Sequence, residues 1–203
     1  FDLAHKYLNP VMVLGDGMIG QMMEAVEFPE GIKETDDPMT MDWPATGCEG
    51  RDPRIVKSLF LDPQALEKNS FALAEKYKNM KEEEVRYELY KVKDDCQVLL
   101  ISYGTMARIC QTVIDEMEEE GVSVGLLRPI TLFPFPENEI REQAWKENIR
   151  AVLSVEMSTG QMVEDVDKAV RGKKPVEFYG RTGGIVPSPE EVRDYILKIL
   201  EKK

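Results

Sequence analysis

The 203 residues are 42% hydrophobic and 32% charged, with a formal net charge of -12, the balance of an ordinary globular protein with room for one full domain plus a partial one, or two small ones. That charge excludes a nucleic-acid partner, which needs a basic stripe facing phosphates, and the acids fall in runs such as EMEEEG and KEEEVRYE that read as solvated helix faces. No run reaches the roughly 18 apolar residues needed to cross a bilayer and no signal peptide is visible, so no membrane partner and a cytoplasmic location are expected.

The opening FDLAHKYLNPVMVLGD reads as the end of a helix followed by a strand at residues 11–14, a continuous apolar run between Pro10 and Gly15. A chain that opens at Phe1 inside an αβ unit is expected to be part of a longer one. Residues 21–26 suit a short helix. Residues 28–54 are irregular, rich in Pro and Gly, and read as a linker or binding loop. Asp62-Pro63 is a helix start, with Asp as N-cap and Pro at the first helical position. Leu66, Leu73, Tyr77, Met80 and Tyr87 then form one apolar stripe on a helix expected to reach about residue 90, docked on its own domain.

From residue 97 the alternation is regular. QVLLISYG is a strand, TMARICQTVIDEMEEEG a helix with Thr105 as N-cap and Gly121 as its stop, and VSVGLLRP a second strand. ENEIREQAWKEN is a helix after the turn ITLFPFP. RAVLSVEM, GQMVEDVDKAVRG and PVEFYG continue as strand, helix and strand. Ser188-Pro189-Glu190-Glu191 is a capping box opening the last helix. This βαβαβαβα order predicts an α/β fold with a mostly parallel sheet and helices on both faces.

Ligands and partners of open α/β sheets meet the carboxyl ends of the strands. Those ends carry Gly104, Thr105, Arg128, Glu156, Ser158, Gly160 and Arg181. The helix starts at Thr105 and Gly160 offer free N–H groups to an anion or a partner; the same residue types also serve as caps and turns, and Arg128 and Glu156 could pair with each other. No catalytic residue emerges: His5 is the only histidine and lies far from the regular domain, so no Ser/His/Asp triad assembles. Cys48, Cys96 and Cys110 have no C-x-x-C spacing, so neither zinc nor an iron–sulfur cluster is expected on this chain, and a sparse, odd count fits a reducing compartment.

Gly15-Asp16-Gly17-Met18-Ile19-Gly20 matches two cofactor patterns and satisfies neither. The dinucleotide fingerprint needs a second strand ending in an acid. Glu34, Asp36 and Asp37 stand at a suitable distance, but EFPEGIKETDDP has no apolar run. The thiamine diphosphate motif needs an asparagine downstream to complete the magnesium shell, and TMDWPATG has none. No cofactor or metal is therefore assigned to this chain, and the GDG reads as a tight strand-to-helix turn.

Five segments in fixed order, PVMVLGDGMIGQMMEAVEFP, GRDPRIVKSLFLDPQALEKNSFALAEKY, RPITLFPFP, SVEMSTGQMVEDV and PVEFYGRTGG, resemble the α subunit of 2-oxoacid:ferredoxin oxidoreductases, above all the 2-ketoisovalerate (3-methyl-2-oxobutanoate) type. The resemblance covers essentially the whole chain. It implies a holoenzyme that oxidatively decarboxylates a 2-oxoacid, forms an acyl-CoA and reduces ferredoxin. Its cofactors would be thiamine diphosphate, Mg, iron–sulfur clusters and coenzyme A, held by other parts of the assembly. The implied partners are a β subunit carrying the thiamine site, a γ subunit and an iron–sulfur ferredoxin-like subunit, in a hetero-oligomer. Residues 1–27 then correspond to the end of the pyrimidine-binding domain, 28–91 to a linker and long helix, and 92–203 to a domain like the transketolase C-terminal domain, with Arg128-Pro129 matching its arginine–proline turn. This part alone is expected to be inactive and to act mainly in subunit assembly. An E1-type or transketolase-like component, and a non-catalytic binding or scaffold module, are the alternatives.

Overall fold

The computed structural model describes residues 1–28 and 47–202. The loop acids Glu34, Asp36 and Asp37, and most of the irregular 28–54 segment, lie outside the described residues. The chain divides into two compact units, one made of Phe1–Gln21 with Lys76–Lys203, the other of Met22–Glu75.

In the larger unit a five-stranded sheet runs β1 (Tyr87–Tyr90), β3 (Val124–Pro129), β2 (Val98–Ile101), β4 (Ala151–Glu156) and β5 (Val176–Gly180) from edge to edge. The last four are mutually parallel, and β1 pairs antiparallel to β3. The helices between them are α3 (Gly104–Glu119), α4 (Glu137–Ala144), α5 (Met162–Val170) and α6 (Pro189–Glu201). The expected mostly parallel α/β sheet is thus present.

Strand periodicity explains the two-faced core. Successive side chains of a strand point to opposite faces. Val98 and Leu100 join Cys110, Val113 and Met117 of α3 and Val192 and Ile196 of α6. Leu99 and Ile101 join Ile140 and Ala144 of α4 and Val166 and Val170 of α5 on the other face. Strands buried on both sides need continuous apolar runs, which VLLI supplies with all four residues buried.

β1 was not legible in the sequence. The helix opened by Asp62 is α2 (Pro63–Glu83), its Ala65 N–H bound to Asp62 Oδ2 at 2.8 Å. It ends seven residues short of the expected 90. Arg86 then leaves the helix: its N–H donates to Thr131 Oγ1 (3.0 Å) and its carbonyl accepts the N–H groups of Ile130 and Thr131. These bonds lay the next residues along β3 as an edge strand. Gly125 of β3 makes the return possible, since a Cβ there would sit 2.8 Å from the Cα of Val92. The α2 stripe is also less buried than a docked helix requires: Met80 is buried, while Leu66, Phe71, Leu73 and Tyr77 stay exposed.

The N-terminal helix α1 (Asp2–Tyr7) belongs to the same unit as the sheet. Lys6 Nζ and Tyr7 Oη both donate to Glu84 Oε1, at 2.8 and 2.9 Å, and Lys76 Nζ donates to Asn9 Oδ1 at 3.0 Å. The strand expected at residues 11–14 is absent. These residues run without regular structure, and Val11, Met12, Val13 and Leu14 are all exposed. Apolar character alone makes no strand; a strand needs a neighbour to take its N–H and C=O groups, and among the described residues no strand lies alongside. Residues 21–26 likewise form no α-helix; only the turn Ile19–Gln21 is helical, as a single 3-10 turn.

Candidate functional site at the carboxyl edge of the sheet

β2 lies in the middle of the sheet. Its connection through α3 leads to β3 on one side, whereas β4, on the other side, leads through α5 to β5. Connections leaving adjacent parallel strands in opposite directions open a crevice at the strand ends, where open α/β sheets place ligands. The crevice is therefore bounded by Tyr103 and Gly104 after β2 and by Met157 and Ser158 after β4. Ser102 Oγ donates to the carbonyl of Val155 at 2.9 Å and ties the two strand ends together.

Both helices that start here present N–H groups with no partner in their own helix and a positive dipole end. In each case a carboxylate of the chain itself takes them. Glu156, the last residue of β4 and only 6% exposed, turns back onto the start of α5. Its Oε2 accepts from Ser158 Oγ (2.8 Å), Gln161 N–H (3.0 Å) and Met162 N–H (3.0 Å). Its Oε1 accepts from Val163 N–H (2.8 Å) and Ser154 Oγ (2.9 Å). Burial pushes this carboxyl up, but the N–H and hydroxyl donors outweigh it and hold the group below its ordinary range. Gly160 donates its N–H to Ser158 Oγ at 3.0 Å. The α5 N-terminus marked for an outside anion is thus already neutralised by Glu156.

The start of α3 is served from far away in the sequence. The N-cap position is Tyr103, not Thr105 as expected. The carboxylate comes from Asp16, in the middle of GDG: Oδ2 accepts Thr105 N–H at 2.9 Å and Oδ1 accepts Thr105 Oγ1 at 2.8 Å. Oδ1 also accepts the N–H groups of Met18 and Ile19, at 3.0 and 2.9 Å. Burial opposes ionisation of Asp16, yet these donors keep its carboxyl below the usual value. Gly104 has φ +65°, and a Cβ there would lie 2.9 Å from Asp16 Oδ2, so glycine is needed both for the left-handed backbone and for the approach of the carboxylate. Sequence reasoning left Asp16 in a bare turn; its partner is 89 residues away, and no local pattern reports such a contact.

The two arginines are paired as well. Arg128 Nε donates to Glu88 Oε2 of the edge strand at 3.0 Å, so it does not bridge to Glu156. Arg181 Nη1 donates at 2.6 Å to Glu191, whose other oxygen accepts the Ser188 N–H at 2.9 Å in the expected capping box. The edge also exposes apolar side chains: Tyr103, Ile130 and Phe133, which line one groove with the exposed segment 11–14, and farther along it Met157 and Ile185.

Among the described residues, those picked out by the cofactor motifs and the cysteines do not form a site for thiamine diphosphate, magnesium or an iron–sulfur group. Both oxygens of Asp16 are committed to backbone and hydroxyl donors. Among the described residues no three His, Cys, Asp or Glu side chains gather as metal ligands. Cys96 and Cys110 lie in the cores on opposite faces of the sheet, where burial pushes their thiols up to about 11 and about 12, far from the thiolate a cluster needs. No helix among the described residues is long and apolar enough to cross a membrane.

Residues 96–192 match the family of pyruvate:ferredoxin oxidoreductase core domain II. The chain is 45% identical over 201 residues to the ketoisovalerate oxidoreductase subunit VorB of Methanothermobacter marburgensis, covering 99% of this chain and 54% of that protein. It is 31% identical to the 2-oxoglutarate synthase subunit KorA of the same organism, covering 97% of this chain and 58% of the relative. The chain thus spans about half the length of the curated relatives it matches. Among solved structures, the 2-oxoglutarate:ferredoxin oxidoreductase from Magnetococcus marinus with 2-oxoglutarate, coenzyme A and succinyl-CoA bound shares the fold, with a TM-score of 0.57 and 15% identity over 70% of this chain and 24% of that one. The matched core domain and the likeness along nearly the whole sequence agree: residues 96–192 belong to the pyruvate:ferredoxin oxidoreductase core domain II family, and the chain as a whole is similar to subunits of 2-oxoacid oxidoreductases of that kind.

Proposed function

We propose that this chain supplies the C-terminal part of an α subunit in a thiamine-dependent 2-oxoacid:ferredoxin oxidoreductase, and that its work there is chiefly assembly. The holoenzyme decarboxylates a 2-oxoacid oxidatively, passes the acyl group to coenzyme A and delivers electrons to ferredoxin. The higher identity to ketoisovalerate oxidoreductase subunits than to a 2-oxoglutarate synthase subunit favours 3-methyl-2-oxobutanoate as the substrate. Thiamine diphosphate, magnesium and the iron–sulfur clusters belong to partner subunits or domains. Those partners are a β subunit holding the thiamine site, a γ subunit and a ferredoxin-like subunit, in a cytoplasmic hetero-oligomer. On this reading residues 1–27 close a pyrimidine-binding domain, 28–91 link it onward, and 92–203 are the assembly domain.

One observation carries the reading. At the topological crevice both helix N-termini are filled by the chain's own carboxylates, Asp16 and Glu156. The rim around them exposes Tyr103, Ile130, Phe133 and Met157. A crevice that neutralises its own anion sites and presents apolar side chains suits a protein surface better than a charged small molecule. Gly104, Thr105, Arg128, Glu156, Ser158, Gly160 and Arg181 then act as the framework that shapes this surface, and the neighbouring apolar residues make the contact.

The test is assembly of the native complex from subunits in which Tyr103→Asp and Met157→Asp have been introduced together. Recovery of the thiamine-bearing subunit with the tagged α chain is expected to fall at least roughly tenfold, as for loss of an aromatic anchor, while the circular dichroism of the variant stays that of the wild type. Unchanged recovery refutes the interface. Micromolar binding of thiamine diphosphate and magnesium by the isolated chain in calorimetry would refute the assignment of that site to a partner. Reduction of NAD rather than ferredoxin by the purified native complex would favour an E1-type component instead.

A further inference from the structure

Residues 8–21 are tied down at two places. At the near end Leu8 is left-handed (φ 47°) and Asn9 is held by Lys76. At the far end Asp16 grips the start of α3 through Thr105 and the N–H groups of Met18 and Ile19. Between the two anchors the backbone has no regular structure, makes no sheet pairing, and leaves Val13 94% exposed. This stretch is one wall of a groove of about 610 Å³, largely apolar, whose other wall is the turn after β3 with Ile130 and Phe133, and whose floor includes Tyr103 and Met80.

We propose that residues 10–21 form a strap, and that the Asp16 carboxylate on the N-terminus of α3 is the clip that holds it closed and so sets the shape of this groove. The clip joins residues 10–21 to the start of α3 through both oxygens of one carboxylate, and it fastens the strap beside Tyr103, which lines the groove. The apolar side chains of the strap add little along its length, since Met12, Val13 and Leu14 are exposed and only Ile19, half-buried beside Gly104, approaches the sheet domain. Opening the clip frees the strap while the sheet, whose core on both faces lies elsewhere, stays folded. Gly104 has its place in the same device, since any side chain there would meet the incoming carboxylate.

Hydrogen exchange followed by mass spectrometry on the full-length chain tests this directly. In Asp16→Ala the amides of Gly20 and Gln21, which are protected by the carbonyls of Asp16 and Met18 and not by the Asp16 carboxylate, are expected to exchange roughly tenfold faster or more, the scale of losing the charge-assisted hydrogen bonds that hold the strap. β2, β4 and the body of α3 keep wild-type rates. Thr105→Val removes the hydroxyl but not the N–H and gives a smaller increase, while Thr105→Ser, which keeps both, gives none. Wild-type exchange of Gly20 and Gln21 in Asp16→Ala overturns the clip. An equal rise in β2 and β4 overturns it too, since Asp16 would then stabilise the whole domain and not the strap.

Discussion

Replacing Glu156 with glutamine should cost stability out of proportion to the size of the change. The side chain keeps its shape and one carbonyl oxygen. If that oxygen stays with Ser158, Gln161 and Met162, the amide NH₂ must face the Val163 N–H and Ser154 Oγ. The serine hydroxyl can rotate and accept; the Val163 N–H cannot. One buried N–H is left without an acceptor, which costs about 1–3 kcal/mol. Loss of the negative charge at the helix start adds about 0.3–1 kcal/mol, and up to ~2 in a partly buried setting. The sum is about 1–5 kcal/mol at pH 7, read as a shift in the urea unfolding midpoint at unchanged slope. The pH dependence gives a second reading. The folded carboxyl is held below its ordinary value, so its contribution is complete above the unfolded value of about 4.3 and is lost as pH falls through the folded one. The gap between wild type and Glu156→Gln should therefore narrow below about pH 4. A loss under about 0.5 kcal/mol, the range of an ordinary surface change, or a gap constant from pH 7 to about pH 3, would refute the role of Glu156 as a buried, ionised helix cap.

Two further outcomes follow from the packing. Gly125→Ala pushes a methyl to within 2.8 Å of the Val92 Cα, a backbone atom that can yield only by lifting the chain off β3; a loss of about 1–3 kcal/mol is expected in urea unfolding, and retained stability would mean that residues 91–92 adjust freely. Titration with a thiol reagent at pH 8 should label Cys48, which is exposed, at once and leave Cys96 and Cys110 silent until urea unfolds the sheet; rapid labelling of more than one thiol would contradict the burial of the other two.

What could be read in the sequence had local causes. Asp62-Pro63 and Ser188-Pro189-Glu190-Glu191 announce their helices because a cap and its helix are three residues apart. β2 to β4 are legible because strands buried on both faces must be continuously apolar, and the half-buried edge strand β5 because VEFYG stands between a helix and a glycine turn. β1 is hidden for the opposite reason. Tyr87 stands seven residues beyond Met80, so it continues the helical stripe on paper, and only the bonds between Arg86 and Thr131 turn the chain into a strand. Residues 11–14 mislead in the other direction, with strand composition and no strand beside them. Of the edge residues, Arg181 meets Glu191 ten positions on, within the reach of inspection, whereas Arg128 finds Glu88 forty positions away across a strand the sequence concealed. The contact between Asp16 and Thr105 was the least legible of all, because the pattern that contains Asp16 belongs to cofactor chemistry and its use here is different.

The two helix starts at the crevice are closed by the same chemical group at very different cost in chain order. Glu156 reaches Val163 across seven residues, while Asp16 reaches Thr105 across 89. In a disordered chain the longer closure is dearer by about 2 kcal/mol of loop entropy. The start of α5 can therefore be completed as soon as β4 and its turn exist, whereas the start of α3 waits for the segment made first to be brought back onto a domain made later. The edge of the sheet thus acquires its final form in two stages, and the second is the one in which the two chain segments of the larger unit are joined.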